Sequence, residues 1–232
     1  MISSSLDKRL LSCADYVRVG AVLADIGTDH GYLPLFLLRE GRIQRAYLCD
    51  VNEGPLSSAK RNAAADGFLD KCEFILTDGA AALAGKGVTD YTVCGMGGEL
   101  IARIIEDAPH LKKNGTRLIL QPMTKQENLR RYLTASGFSI LDEKFSFDSG
   151  KYYVTLLAEY TGECRVLSDA EAELGTDVAH TSDSEEYLGF LEGKRKAAEK
   201  ALLGKRSGGY DSSEEEARLS LIDERISGVR KI

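Results

Sequence analysis

From Val22 to about Tyr160, short apolar runs alternate with helical patterns, and that alternation leaves few folds open. Val22-Leu-Ala-Asp-Ile26 reads as a buried strand and Leu33-Pro-Leu-Phe-Leu-Leu-Arg-Glu40 as the helix after it. Ala46–Asp50 and Pro55–Asp66 repeat the pair, with proline near the helix's first turn. Cys72–Thr77, Tyr91–Cys94 and Thr116–Gln121 are further strands, separated by helices near Glu99–Asp107 and Lys125–Ser136. Strand and helix in strict succession predict an α/β fold with a parallel, doubly wound, Rossmann-like sheet. Phe138–Phe147 and Lys151–Tyr160, joined by Asp148-Ser-Gly150, predict a closing antiparallel hairpin. Leu6–Tyr16 predicts a short helix beside the first strand.

Beyond Gly162 the strands stop. Ser168-Asp-Ala-Glu171 and Ser213-Glu-Glu-Glu216 both fit the capping box that starts helices. Tyr187, Leu191, Ala198 and Leu202 share one helical face, as do Leu219, Ile222, Ile226 and Val229. The expected organisation is a Rossmann-like α/β domain over 1–162 and a coiled-coil-like helical hairpin over 163–232. Five scattered cysteines, never in a Cys-x-x-Cys pair, argue against a disulfide framework and a zinc site. No apolar run is long enough to span a bilayer, and the N-terminus lacks the order of a signal peptide, so a cytoplasmic protein is expected. A net charge of −6 lowers the expectation of nonspecific nucleic-acid binding through a uniform basic field.

In an open α/β sheet, ligands sit beyond the carboxyl ends of the strands, beside the first one. Here that loop is Asp25-Ile-Gly27-Thr28-Asp29-His30-Gly31. It is not Gly-x-Gly-x-x-Gly, and a pyrophosphate would meet the Asp29 carboxylate. A cationic ligand such as S-adenosylmethionine would find the carboxylates useful. Asp50 ends the second strand, placed for ribose hydroxyls, and Asp78-Gly79 ends the third, placed for an adenine amino group. Cys94-Gly95-Met96-Gly97-Gly98 ends the fourth as a floor beside the reacting methyl, with Cys94 read as packing rather than as a nucleophile.

Leu6-Asp-Lys-Arg-Leu10, Asp25-Ile-Gly-Thr-Asp-His-Gly-Tyr-Leu-Pro34, Cys94-Gly-Met-Gly-Gly98 and Leu120-Gln-Pro122 resemble the bacterial tRNA (adenine-22-N1)-methyltransferases, the TrmK family, across essentially the whole chain. The resemblance implies methyl transfer to N1 of an adenosine in the tRNA D-arm region, with Arg9, Asp25, Gly27, Asp29, His30, Asp50, Asp78, Gly95 and Met96 around the cofactor. Met123 departs from it, standing where a polar residue such as Asn is expected.

Asp29, then His30, are the candidates for handling the charge and amino proton of the methylated base, and Gln121 for its hydrogen-bonding edge. Tyr32 and Tyr152 are candidate stacking groups. Lys194, Arg195, Lys196, Lys200, Lys205 and Arg206 form an expected phosphate-gripping edge on the tail. Two other readings compete: an NAD-dependent oxidoreductase, disfavoured by the acidic loop, and a non-catalytic module binding RNA or a partner through the hairpin.

Overall fold

The computed structural model describes residues 6–180 and 184–230. Its elements run α1 (Lys8–Tyr16), β1 (Ala21–Ile26), α2 (Tyr32–Arg39), β2 (Ile43–Asp50), α3 (Glu53–Ala65), β3 (Cys72–Leu76), β4 (Asp90–Gly97), α4 (Gly98–Glu106), β5 (Arg117–Thr124), α5 (Gln126–Ala135), β6 (Phe138–Asp148), β7 (Lys151–Tyr160), α6 (Asp169–Leu174), α7 (Ser184–Ser207) and α8 (Ser213–Val229). Seven strands form one sheet in the order β3-β2-β1-β4-β5-β7-β6. β3, β2, β1, β4 and β5 pair in parallel, whereas β7 runs antiparallel to both β5 and β6. The hairpin expected from sequence is therefore present, but its second strand is the one inserted beside β5.

The order turns back beside β1, so the loops after β1 and β4 open the crevice between them. β1 is apolar apart from Asp25 because both of its faces are covered: Leu23 packs with α2 residues on one side, Ala24 and Ile26 with α4 residues on the other. Asp90, at the opposite end of adjacent β4, is wholly buried and takes Arg18 Nε at 2.8 Å, Arg18 Nη2 at 2.6 Å and the Arg18 backbone N–H at 2.9 Å. That fork anchors the turn from α1 into β1.

The tail closes one face of the sheet. Tyr187, Phe190, Leu191, Ala198, Ile222, Ile226 and Val229 are buried in the same core as Phe145, Val154 and Leu156 of the hairpin. The Phe145 ring lies 4.6 Å from Tyr187 and 4.9 Å from Phe190. Beneath them Arg130 of α5 and Glu143 of β6 form a fully buried ion pair at 2.7 Å. The second Glu143 oxygen accepts from the N–H and hydroxyl of Thr176, so one carboxylate ties sheet, helix and tail together. The capping box at Ser168 forms as expected. The one at Ser213 does not: Ser213 is already helical, and the ionised Asp211 accepts from its N–H at 3.0 Å. Asp211 thus takes the N–H that Glu216 would accept in a capping box, and the Glu216 N–H goes to the Ser212 carbonyl at 3.0 Å. Among the described residues no helix is long and apolar enough to cross a membrane.

Candidate active site

Three aspartates end three adjacent strands at the carboxyl edge, and their surroundings differ. Asp25, on β1, is 7% exposed and accepts from the Thr92 hydroxyl at 2.7 Å. Burial pushes its carboxyl above the ordinary carboxylate range, with the Thr92 bond opposing and the Asp50 charge adding to the rise. Asp50 ends β2 half-buried and accepts from the Asn52 N–H at 2.7 Å, which orients the carboxylate. Asp78 is exposed just past β3. None of the three has a lysine or arginine in ion-pair contact among the described residues.

The loop after β1 is pinned from beneath: the N–H groups of Gly27 and Thr28 donate to the Cys49 carbonyl at 2.8 and 2.9 Å. Gly27 has φ +74°, and a Cβ there would lie 2.0 Å from Met96 Cε. The Met96 side chain from the β4 loop thus lies across the crevice against Gly27, whose left-handed φ is what favours glycine there. His30 sits at φ +59°, rare for a residue with a side chain, and Asn62 Nδ2 donates to its carbonyl at 2.9 Å. Its ring stacks on Tyr32 with centroids 5.2 Å apart, and its Nε2 lies 3.2 Å from Asp29 Oδ1. The Asp29 side chain is 78% exposed at the mouth of the crevice. Gly31, at φ +72°, begins α2.

On the β4 side, Gly95 makes a bulge against β5 at φ +78°. Gln121 holds it: the buried amide oxygen accepts the Gly95 N–H at 3.1 Å and Arg9 Nη1 at 2.9 Å, while Nε2 donates to the Pro122 carbonyl at 3.2 Å. Arg9 therefore reaches the site from α1, 112 residues from its partner in sequence. Gly98 has a different task, since a Cβ there would lie 2.3 Å from the Lys125 carbonyl oxygen where α4 meets the β5–α5 turn. Gly79, at φ +72°, packs against Ile104. Cys94 lies with its sulfur 3.5 Å from that of Cys13, which with burial pushes its thiol well up. It is a packing group in this environment.

The fold brings Arg9, Asp25, Gly27, Thr28, Asp29, His30, Gly31, Asp50, Asp78, Gly79, Gly95, Met96 and Gln121 to one edge. Sequence reading missed Thr92 and Asn62. Thr92 carried a signal, a polar residue inside the apolar strand that the register sets opposite Asp25. Asn62 carried none.

The tail cations fare otherwise. Arg195 pairs with Asp223 and Glu199, Lys205 with Glu215, and Arg206 with Glu216. Lys194 lies over the Phe190 ring, its pKa lowered by burial and supported by Glu173. Lys196 and Lys200 are exposed and have no ion pair among the described residues.

A family model described as a methyltransferase domain matches residues 6–156. The tRNA (adenine(22)-N(1))-methyltransferase of Bacillus subtilis is 37% identical over 155 residues, 66% of this chain and 65% of that protein. A Streptococcus pneumoniae protein described as a "putative tRNA (m1A22) methyltransferase", solved in complex with S-adenosyl-L-methionine, superposes with a TM-score of 0.81 at 32% identity, over 96% of this chain and 100% of that one. Mycoplasma capricolum TrmK, solved with S-adenosyl-homocysteine, gives 0.75 at 27% identity over 97% and 96%.

Proposed function

Because this chain belongs to the methyltransferase-domain family, and within it to the tRNA (m1A22) methyltransferases, we propose that it transfers a methyl group from S-adenosylmethionine to N1 of an adenosine in tRNA. The observation that carries this reading is the carboxyl edge itself: Asp25, Asp50 and Asp78 end adjacent strands with no lysine or arginine partner among the described residues, beside glycines at positive φ. A dinucleotide pyrophosphate would be repelled there, which disfavours the oxidoreductase reading.

The residues fit the cofactor. Asp50 would accept from the ribose hydroxyls, Asp78 and Gly79 would border the adenine, and Asp25, Thr28 and Gly31 would shape the seat. Gly27, Gly95 and Met96, with Arg9 behind them, would line the methionine side. S-adenosylmethionine supplies an electrophilic methyl carried on a sulfonium. The adenine N1 lone pair lies in the ring plane and attacks without prior deprotonation, so the protein's work is alignment and exclusion of water. The product ring is cationic. Asp29, the most exposed carboxylate of the loop, is positioned to stabilise that charge or accept the amino proton, with His30 Nε2 3.2 Å from it. Gln121 spends its amide on Arg9, Gly95 and Pro122, so its contribution is to hold the β4 bulge rather than to read the base edge. The base leaves its stack to reach the crevice.

The chain then works as two parts, a catalytic 1–162 and a helical 163–232, in the cytoplasm where its tRNA resides. Within the tail edge of Lys194, Arg195, Lys196, Lys200, Lys205 and Arg206, Lys196 and Lys200 are the cations with charge to offer phosphates. The test is transfer of labelled methyl from S-adenosylmethionine to unmodified tRNA, followed by digestion to nucleosides. N1-methyladenosine is expected; no incorporation into any tRNA would sink the reading.

A further inference from the structure

The β6–β7 hairpin ends at the same sheet edge as the site, because β7 runs antiparallel to β5 and so begins where β5 finishes. At its tip Phe147 and Tyr152 face each other in register, ring centroids 4.7 Å apart. On their face of the hairpin Phe145, Val154 and Leu156 are buried under the tail, yet Phe147 is 40% and Tyr152 36% exposed. The apolar column thus runs out from under α7 into solvent. Tyr152 is steadied at its hydroxyl end by Gly189 of α7, where any Cβ would collide with it. Met123, 42% exposed at the end of β5, adds a third apolar group to this edge.

Three cations stand at the ends of elements on this same edge. Lys151 starts β7 next to Tyr152; Lys8 starts α1, whose first N–H donates to Asp148 of the hairpin tip at 3.0 Å; Lys125 follows β5. All three are exposed, and none has a carboxylate in ion-pair contact among the described residues. Asp148, the nearest acid of the tip, is spent on the Lys8 N–H and the Ser149 hydroxyl. Lysines without a carboxylate partner at the same edge as exposed aromatic rings match single-stranded nucleic acid, with its phosphates outside and bases free to stack.

We propose that this tip is a docking platform for the unpaired RNA strand adjoining the target nucleotide, with Phe147 and Tyr152 stacking a flanking base and Lys8, Lys125 and Lys151 holding its phosphates. The proposal rests on the tRNA reading above and deepens it. It also gives Met123 a place, as an apolar contact for a base rather than a hydrogen-bonding group.

The experiment compares wild type with Phe147→Ala and with a Lys8→Ala/Lys125→Ala/Lys151→Ala triple variant, using the full chain and an unmodified tRNA transcript. Phe147 is 40% exposed with the Tyr152 ring as its aromatic partner, and the lysines are exposed, so both variants are expected to keep the wild-type melting temperature and S-adenosylmethionine affinity. Phe147→Ala should weaken tRNA binding about tenfold. The triple variant should lower the slope of log affinity against log salt by roughly two to three. In turnover, KM for tRNA should rise more than kcat falls. Wild-type affinity and salt slope in both variants, with wild type still methylating tRNA, would overturn the platform alone. A wild-type protein that neither binds nor methylates tRNA would overturn the functional reading and the platform with it. A change of oligomeric state in Phe147→Ala by light scattering, with tRNA binding intact, would assign the face to a second copy of the chain and likewise overturn the proposal.

Discussion

Asp90 and Asp25 are buried aspartates at opposite ends of neighbouring parallel strands, and the protein treats them in opposite ways. At the amino edge Asp90 receives three bonds from Arg18 and is closed off. At the carboxyl edge Asp25 receives the Thr92 hydroxyl, and its neighbours Asp50 and Asp78 receive no cation among the described residues. The tail repeats the amino-edge pattern, answering Arg195, Lys205 and Arg206 with acids of its own. Charges answered from within hold the fold. Charges left unanswered, beside a crevice floored by glycines, are kept for a ligand that brings the opposite sign.

Removing the answer at the amino edge should have the largest effect on stability. Arg18→Ala leaves the buried Asp90 carboxylate unpaired and should cost about 3 kcal/mol by urea denaturation, with S-adenosylmethionine affinity of the folded protein unchanged. If that variant unfolds like wild type, the Asp90 pair is not structural and the contrast between the edges fails. At the other edge, Asp50→Asn keeps an acceptor for the Asn52 N–H but removes a charge. It should weaken S-adenosylmethionine binding by roughly 10- to 100-fold by calorimetry and leave unfolding nearly untouched.

The third effect is smaller and opposite in sign. A carboxyl whose pKa is raised by folding makes the native state bind more protons than the unfolded chain, so stability falls as pH rises above the ordinary carboxylate range. Asp25→Asn removes that cost. It should raise the melting temperature of the cofactor-free protein by a few degrees at pH 7 to 8, and by nothing near pH 3, while weakening cofactor binding. A fall in melting temperature at neutral pH would show that Asp25, too, is answered from within.

The sequence makes the edge legible because buried parallel strands are apolar, so an aspartate at the end of one stands out; Asp25 and Asp50 are found that way. All seven strands emerge from the same pattern. What pairs with what is less legible. Nothing local shows that Arg9 meets Gln121, 112 residues away, or that Met96 lies against Gly27. The tail lysines read as a basic stripe because their acids lie on another helix, as Asp223 does for Arg195. At Ser213 the Ser-x-x-Glu pattern is present, but Asp211 takes the capping role a local motif cannot assign.

Asp29 is the sharpest case of a charge left open, with a side chain 78% exposed at the crevice mouth and His30 beside it. Asp29→Ala, measured by single-turnover methyl transfer to tRNA alongside S-adenosylmethionine affinity, separates chemistry from seating. The expected result is a fall in the rate of transfer by about 10²- to 10⁴-fold with cofactor affinity changed only a few-fold. An equal loss in rate and affinity would return Asp29 to a purely cofactor-binding role and contradict the account.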